Sequence, residues 1–216
     1  MSDAPQVTVV DYGVGNLRSV KRALEFAGSS VTITDSPEHI LQADRLVLPG
    51  VGAFGHCMKE LQSRGLTDAV LKYARLARPF LGICVGMQIM LTMGDEFGIH
   101  TGLNLIDGNV RRIPDAGADG KPHVLPYIGW AALSKPTPKT KWEGTVFADT
   151  KEGEHVYLLH SYAATLENPS HALAQYHYNG VPICAAIAKD HLVGLQFHPE
   201  KSAHVGIRII KQFLSV

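Results

Sequence analysis

The sequence predicts an α/β protein built on an open, mostly parallel, doubly wound sheet with flanking helices. Three observations lead to this fold class. In the first half of the chain, short apolar runs rich in Val, Ile and Leu alternate with stretches of helical spacing. Glycine-bearing turns connect them, as expected where strands are buried on both faces of a parallel sheet. The second half carries short apolar stretches among prolines, which predicts extra antiparallel strands there.

The first half divides into four strands, each followed by a helix. The predicted strands cover residues 7–10, 31–34, 45–48 and 79–83. The predicted helices cover residues 17–27, a short segment that begins at Ser36 and Pro37, residues 58–77 with an interruption at Gly65, and residues 85–93. Asn16 directly precedes the first helix and is predicted to cap it, because its side chain can accept from a free backbone N–H.

The second half is predicted as strands and loops followed by one final helix. Its apolar stretches cover residues 127–130, 156–160, 172–178, 183–189 and 192–197. The final helix, residues 202–214, places Val205, Ile209, Ile210 and Phe213 on one face. The sequence has no repeat, low-complexity segment or linker. We therefore expect residues 1–216 to form a single domain whose two halves share one sheet.

The composition excludes several classes of protein. The chain has 216 residues, of which 45% are hydrophobic and 19% charged, so it has the usage of a globular protein. Lys and Arg total 20, as do Asp and Glu, and this zero net charge argues against nucleic acid as a partner. The longest apolar run, residues 80–93, is broken by Gly82 and Gly86, and the N-terminus lacks the features of a signal peptide. No membrane association is therefore expected.

The cysteines and histidines do not predict a metal site. Cys57, Cys84 and Cys184 are an odd number without a CxxC spacing, which argues against a disulfide framework and a thiolate zinc site. We expect a reduced, cytoplasmic compartment. The eleven histidines include no HExxH pair, and His171 and His177 lie on a strand-like stretch. We therefore expect neither a metal nor a cofactor.

Cys84 is the candidate nucleophile. It lies between a predicted buried strand and a predicted helix, with Gly82 and Gly86 two residues away on either side. This is the G-x-nucleophile-x-G pattern of a sharp strand-to-helix turn, which leaves no room for neighbouring side chains. A helix N-terminus also lowers the pKa of a thiol. The alternative is a small buried apolar residue, which is the usual environment of a free cysteine. For Cys57 and Cys184, which lack the glycines, that alternative is favoured.

A second motif strengthens the nucleophile hypothesis. His198, Pro199 and Glu200 follow a predicted strand, 192–197, and precede the last helix. A cysteine nucleophile needs a base, and the base needs a third group to orient it. His198 and Glu200 can supply these two roles. Alone, the motif could equally be a surface turn.

The segment Gly50 to Gly55 has two possible roles. It satisfies G-x-G-x-x-G after a strand, which would suit a dinucleotide-binding regulator. However, that fingerprint requires an acidic residue at the end of the next strand, and Asp68 lies within a helical stretch. In the other role, Gly50, Val51 and Gly52 form a mobile backbone segment beside Cys84 that supplies an N–H to an oxyanion.

Together these residues resemble the class I (triad) glutamine amidotransferases, whose fold is of the flavodoxin-like type. The motifs are Gly82 to Gln88 and His198 to Glu200, and the likeness spans almost the whole chain. Within the family the chain is similar to the glutaminase subunits of imidazole glycerol phosphate synthases. The motifs that carry this closer likeness are residues 11–16, 48–52, 128–130, 160–162 and 196–202.

The resemblance implies a glutaminase that hydrolyses glutamine and delivers ammonia to a separate cyclase subunit of βα-barrel fold, for histidine biosynthesis. It implies Cys84 as nucleophile, His198 as general base and acid, and Glu200 as the orienting carboxylate. The remaining residues that the resemblance assigns are the backbone of Val51, Gly52 and Val85 for the oxyanion, Gly50, Gly52, Gln88, Ser161 and Tyr162 for glutamine, and Asn16, Tyr127, Trp130 and Lys201 for the cyclase interface.

The chain departs from the family pattern at the predicted interface. Tyr127 and Ala131 stand where the family usually has His and Asn, and Ala163 and Ala164 replace bulkier residues. We expect these changes to alter the interface and leave the triad intact. Other possibilities are a triad glutaminase for pyridoxal phosphate synthesis and a catalytically inactive interaction subunit. The N-terminal and Gly129-Trp130 motifs argue against the first, and the complete triad argues against the second.

Overall fold

The computed structural model describes residues 4–216 and shows one large sheet, two smaller sheets and flanking helices. The strands are β1 (Gln6–Val10), β2 (Ser30–Thr34), β3 (Leu46–Gly50), β4 (Phe80–Cys84), β5 (Met93–Gly94), β6 (His100–Thr101), β7 (Gly108–Arg112), β8 (Tyr127–Ala132), β9 (His155–His160), β10 (Tyr162–Leu166), β11 (Ala172–Tyr178), β12 (Val181–Lys189) and β13 (Leu192–Leu195). The α-helices are α1 (Leu17–Phe26), α2 (Pro37–Gln42), α3 (Phe54–Ser63), α4 (Thr67–Ala74), α5 (Val85–Gln88) and α6 (Ala203–Ser215). Short 3₁₀ turns cover Pro169–His171 and Pro199–Lys201.

The large sheet has the strand order β11-β12-β13-β4-β3-β1-β2. The five neighbouring strands β13, β4, β3, β1 and β2 pair in parallel. β12 pairs antiparallel with both β13 and β11. The predicted mostly parallel sheet with antiparallel strands from the C-terminal half is therefore confirmed. Strands of both halves share this sheet. β4 lies between β3 and β13, so its carboxyl end meets the ends of two neighbouring parallel strands.

Two smaller sheets were not predicted. One has the order β10-β7-β5-β6, and the other is the antiparallel hairpin of β8 and β9. The individual strands of the hairpin were expected, but β5, β6, β7 and β10 were not. β5 and β6 have two residues each, which is too short for a hydrophobic pattern to show.

Most helices form where the sequence predicts them. The Asn16 side chain accepts from the Ser19 N–H at 3.3 Å and caps α1 as predicted. The predicted interruption at Gly65 separates α3 from α4, and Gly65 has φ +69. α6 buries the predicted apolar face, and α1 packs against it. Among residues 4–216, none of the helices has the length and apolar character needed to cross a membrane.

The predicted helix at residues 85–93 is wrong, because α5 ends at Gln88. After α5 the chain turns back, and its backbone N–H groups donate to the carbonyls that a longer helix would use. The N–H groups of Leu103, Asn104 and Leu105 donate to the carbonyls of Ile89, Leu91 and Met90, respectively, at 2.8 to 3.1 Å. Hydrogen bonds from this distant segment therefore replace the helical ones.

Candidate active site

Cys84 lies at a sharp turn between β4 and α5. Its backbone has φ +55 and ψ −115, a conformation that residues other than glycine rarely adopt. A Cβ on Gly82 would lie 2.6 Å from the Met90 Sδ, and one on Gly86 would lie 1.8 Å from the carbonyl oxygen of Leu48. The neighbouring chain therefore requires both glycines. The thiol is presented at the carboxyl edge of the sheet.

His198 and Glu200 form a buried pair on the neighbouring strand connection. His198 follows β13, and the 3₁₀ turn at Pro199 brings Glu200 back to the imidazole. The Nδ1 atom of His198 lies 2.8 Å from the Oε1 atom of Glu200, and the two side chains are only 6% and 2% exposed. The Ser202 hydroxyl donates to the His198 carbonyl at 2.7 Å, and the His198 N–H donates to the Tyr157 carbonyl at 3.0 Å. These bonds fix the backbone of the segment that carries His198 and Glu200.

The surroundings of His198 favour its protonated form. Burial by itself lowers the pKa of His198, but the hydrogen bonds and charges of Cys84 and Glu200 outweigh burial and raise the pKa to about 10. The second oxygen of Glu200, Oε2, is buried without a hydrogen-bond partner in the described part of the chain. The carboxylate is therefore directed at the imidazole. Cys84, His198 and Glu200, which the sequence predicts as nucleophile, base and orienting acid, therefore lie in contact, with His198 between the other two.

Two glutamine side chains support the sulfur of Cys84. Gln196 Nε2 lies 3.9 Å from the Cys84 Sγ, within range of a hydrogen bond to sulfur. Gln88 Nε2 donates to the Gln196 Oε1 at 3.0 Å and to the Tyr162 carbonyl at 2.9 Å. Gln196 was not predicted as a site residue, although it belongs to a motif that the sequence analysis singled out. The amide pair connects the nucleophile to the segment that begins β10.

A cavity of about 340 Å³ opens in front of Cys84. Its lining consists of Val51, Gly52, Ala53, Cys84, Val85, Gln88, Glu96, Phe97, Pro126, Leu159, His160, Ser161, Tyr162 and His198. The predicted oxyanion residues and four of the five predicted glutamine-binding residues therefore meet at one cavity. Gly50 does not line it, because its Cα packs beneath the surface, where a Cβ would lie 2.6 Å from the Gly86 nitrogen.

Glu96 was missed by the sequence analysis. It lines the cavity, and its Oε2 accepts from the Phe54 N–H at the start of α3 at 2.9 Å. This carboxylate occupies the helix N-terminus that the dinucleotide-binding hypothesis needs for a pyrophosphate. In addition, a Cβ on Gly55 would lie 2.6 Å from the ring of His100. The Gly50 to Gly55 segment is therefore not arranged as a dinucleotide site.

His160, also missed as a site residue, fixes one wall of the cavity. Burial lowers the pKa of His160 to about 4, so the ring is neutral at pH 7. Its Nδ1 lies 2.8 Å from the Tyr162 carbonyl oxygen and must be the donor there, so Nε2 accepts from the Tyr176 hydroxyl at 2.9 Å. The Tyr162 carbonyl thus accepts from both His160 and Gln88. These bonds hold Ser161 and Tyr162 beside the sulfur.

The predicted interface residues do not all share one surface. Trp130 is 50% exposed on the hairpin, and its ring packs edge-on against Tyr157 with centroids 6.0 Å apart. The Lys201 Nζ lies 5.6 Å from the centroid of the same Tyr157 ring. Asn16 is exposed at the start of α1. Tyr127 instead points to the opposite face of β8, where its ring packs 5.1 Å from that of Tyr176, so it is not part of the exposed hairpin face.

Comparison with known sequences and structures gives a consistent result. The family model for class-I glutamine amidotransferases matches residues 8–215. The chain is 46% identical over 210 residues to imidazole glycerol phosphate synthase subunit HisH 1 of Legionella pneumophila strain Paris, covering 97% of this chain and 99% of that one. It is 44% identical to subunit HisH of Geobacter sulfurreducens, covering 96% and 97% of the two chains.

Solved structures share the fold at low sequence identity. A putative GMP synthase subunit from Thermoplasma acidophilum matches with a TM-score of 0.69 and 20% identity, covering 100% of this chain and 94% of that one. PurLQS from Thermotoga maritima matches with a TM-score of 0.69 and 18% identity, covering 98% of both chains. These likenesses confirm the predicted class I fold.

Proposed function

Because the chain belongs to the class-I glutamine amidotransferases, and within them to the HisH subunits of imidazole glycerol phosphate synthase, we propose that Cys84, His198 and Glu200 are its catalytic triad. The observation that carries this proposal is the contact of a strained cysteine with a buried, carboxylate-oriented histidine at the edge of the sheet. The reaction is the hydrolysis of the side-chain amide of glutamine to glutamate and ammonia.

The first half of the reaction forms a thioester. The Cys84 thiolate attacks the amide carbon of glutamine, and the negative charge moves to the amide oxygen. The backbone N–H of Val85, at the start of α5, and those of the Val51–Gly52 segment are the candidate donors to this oxygen. Each such donor contributes roughly 3 to 4 kcal/mol to transition-state stabilisation. The C–N bond then breaks as His198 gives its proton to the leaving nitrogen, which departs as ammonia.

The second half of the reaction releases glutamate. His198, now neutral, takes a proton from a water molecule that attacks the thioester carbon. The carbon–sulfur bond breaks, and the Cys84 thiolate and the protonated imidazole are restored. General acid–base catalysis of this kind contributes about a hundredfold to ten-thousandfold to the rate. Glu200 holds the imidazole in the orientation that both steps need.

The cavity has the size and polarity for one amino acid. Its volume of about 340 Å³ lies at the lower end of the range for small-molecule sites. Glu96 places a carboxylate in the cavity lining, where it can pair with the α-ammonium group of glutamine. Gln88, Ser161, Tyr162 and Gly52 line the walls. We assign these groups to binding of the substrate.

The partner is assigned to the exposed face of the hairpin. Ile128, Trp130 and Leu159 are 59%, 50% and 41% exposed on neighbouring strands, which is unusual for large apolar side chains on one surface. Leu159 also lines the cavity, so a protein docked here would lie next to the site of ammonia release. We propose that a βα-barrel cyclase subunit binds this face and receives the ammonia. The free cysteines are consistent with a cytoplasmic complex.

The test is glutamate release by the purified chain, alone and with the cyclase subunit plus its nucleotide ligand. We expect release that is slow alone and rises strongly with the liganded partner. Cys84→Ala should abolish glutamine-dependent synthesis, because no thioester can form, and should leave ammonia-dependent synthesis by the partner intact. Loss of both activities in a folded complex, or equal glutaminase rates with and without the partner, would contradict the proposal.

A further inference from the structure

Two buried side chains lie beneath the Gly50–Gly52 segment, and the proposed reaction uses neither of them. The Tyr12 hydroxyl donates to the Pro49 carbonyl oxygen at 2.6 Å. The Cys57 thiol donates to the Val51 carbonyl oxygen at 3.4 Å. Both side chains are fully buried. The Val51 carbonyl of this segment and the Pro49 carbonyl just before it therefore both bond to buried side chains.

The direction of the Val51 carbonyl determines the direction of an amide at the cavity. The C=O and N–H of a trans peptide point in opposite directions. Because the Val51 carbonyl is turned toward Cys57, the N–H of Gly52 points away from Cys57, and Gly52 lines the cavity. Gly52 has φ +89, and nothing lies within 4 Å of the position its Cβ would take. Packing around Gly52 therefore does not hold this peptide in place.

Tyr12 and Cys57 both keep their protons at neutral pH. Burial is the main cause that raises the pKa of Cys57 to about 11, and burial also raises the pKa of Tyr12 well above its usual value. Each can therefore donate continuously to its carbonyl. A thiol is a weak donor, so this bond orients the peptide without locking it.

We propose that Cys57 is a positioning residue that holds the Val51–Gly52 peptide with its N–H toward the reacting amide oxygen, and that Tyr12 supports it by fixing the Pro49 carbonyl just before the segment. The proposal rests on the proposed function, because an oxyanion develops here only if Cys84 attacks an amide. A rotation of this peptide away from the donor orientation has to break the bond to Cys57. The pair beneath the segment thus sets how often the oxyanion donor is in place.

The test compares three cysteine variants in the complex with the liganded cyclase partner. Cys57→Ala removes the donor, and we expect kcat for glutamine to fall by about threefold to tenfold, the value of one ordinary hydrogen bond. The KM should change by less than about twofold, because the bond acts only on the transition state. Cys57→Ser restores an O–H donor and should recover most of the lost kcat. Cys184→Ala is the matched control, since Cys184 contacts the Ala186 carbonyl and does not line the cavity.

Alkylation of Cys84 by iodoacetamide checks that the nucleophile itself is intact, because alkylation develops no oxyanion. Its rate should be the same in the wild-type chain and in Cys57→Ala. Tyr12→Phe, which keeps the ring and removes the hydroxyl, provides a second variant with the same expected loss of kcat if Cys57→Ala does not fold. An unchanged kcat in Cys57→Ala or Tyr12→Phe would overturn the inference. So would a loss of kcat in Cys57→Ser or in Cys184→Ala as large as the loss in Cys57→Ala. Absence of glutamine hydrolysis by the wild-type complex would instead overturn the proposed function.

Discussion

In the proposed mechanism Glu200 acts only through His198, so the titration of that imidazole reports the contribution of Glu200. Burial lowers the pKa of His198, and the contacts with Cys84 and Glu200 raise it to about 10. Glu200→Gln removes one of the two groups that oppose burial. In this variant, NMR titration should show the His198 ring losing its proton at a lower pH than in the wild type. The same titration of Glu152→Gln, an exposed carboxylate, should match the wild type.

The same shift makes stability depend on pH in a defined window. The folded-state pKa of about 10 lies above the unfolded value of 6.5, so the imidazolium stabilises the fold fully below pH 6.5. That stabilisation is lost as the pH rises from 6.5 to 10. The difference in unfolding free energy between wild type and Glu200→Gln should therefore shrink across this window in urea titrations. A difference that grew with pH would contradict the assignment.

Single residues of the site were predictable when a rigid local pattern accompanied them. The glycines around Cys84 and the proline between His198 and Glu200 restrict the backbone, so these residues could be identified from the sequence. Glu96 and His160 have no such pattern. Glu96 reaches the cavity because the chain turns there after β5, and His160 is a site residue because its partner Tyr176 comes from β11. Contacts between segments far apart in sequence leave no local signal.

At the scale of elements, the close approach of α5 to β3 creates a second prediction. A Cβ on Gly86 would lie 1.8 Å from the Leu48 carbonyl oxygen, and neither backbone can move without disturbing the strand pairing. Gly86→Ala should lower the unfolding free energy by about 2 to 3 kcal/mol or more, as overpacking does. At Gly120 nothing lies nearby and φ is +76, so Gly120→Ala should cost only about 1 to 2 kcal/mol of backbone strain. Similar losses in urea unfolding would contradict this account.

The hairpin of β8 and β9 gives a third prediction. Trp130 is the largest exposed side chain of its outer face, and large aromatic side chains contribute most to protein interfaces. Trp130→Ala should weaken binding of the cyclase subunit by about tenfold or more, as measured by calorimetric titration. Phe26→Ala removes a side chain that is 76% exposed on α1 and serves as the control. An unchanged dissociation constant for Trp130→Ala would contradict the proposal that the hairpin forms the interface.

Elements were predictable where one hydrophobic period extended over a full strand or helix. β1 to β4, α1 and α6 satisfy this condition, and the structure has them within a few residues of the predicted bounds. The helix predicted at residues 85–93 ends early because the N–H groups of residues 103–105 donate to the carbonyls of its second half. The amphipathic pattern remained, but its apolar side chains are buried by a returning loop instead of by further helical turns.

At the scale of the whole molecule, one buried apolar cluster joins the two halves of the chain. It includes Val9 and Leu48 from the first half, and Ile187 and Phe213 from the second. We therefore propose that the chain unfolds in one cooperative transition, as a single domain does. In a Trp130→Phe variant, the fluorescence of the buried Trp142 and the far-UV circular dichroism should give the same urea midpoint. Separate midpoints would indicate two independently unfolding parts.

The position of β13 in the sheet determines when the proposed triad can assemble during synthesis of the chain. β13 fills the place between β4 and β12, and the hydrogen bond from Gln196 to Cys84 spans 112 residues. A nascent chain therefore carries Cys84 long before it carries His198 and Glu200. A chain that stops before His198 lacks two residues of the proposed triad, and we expect it to hydrolyse no glutamine.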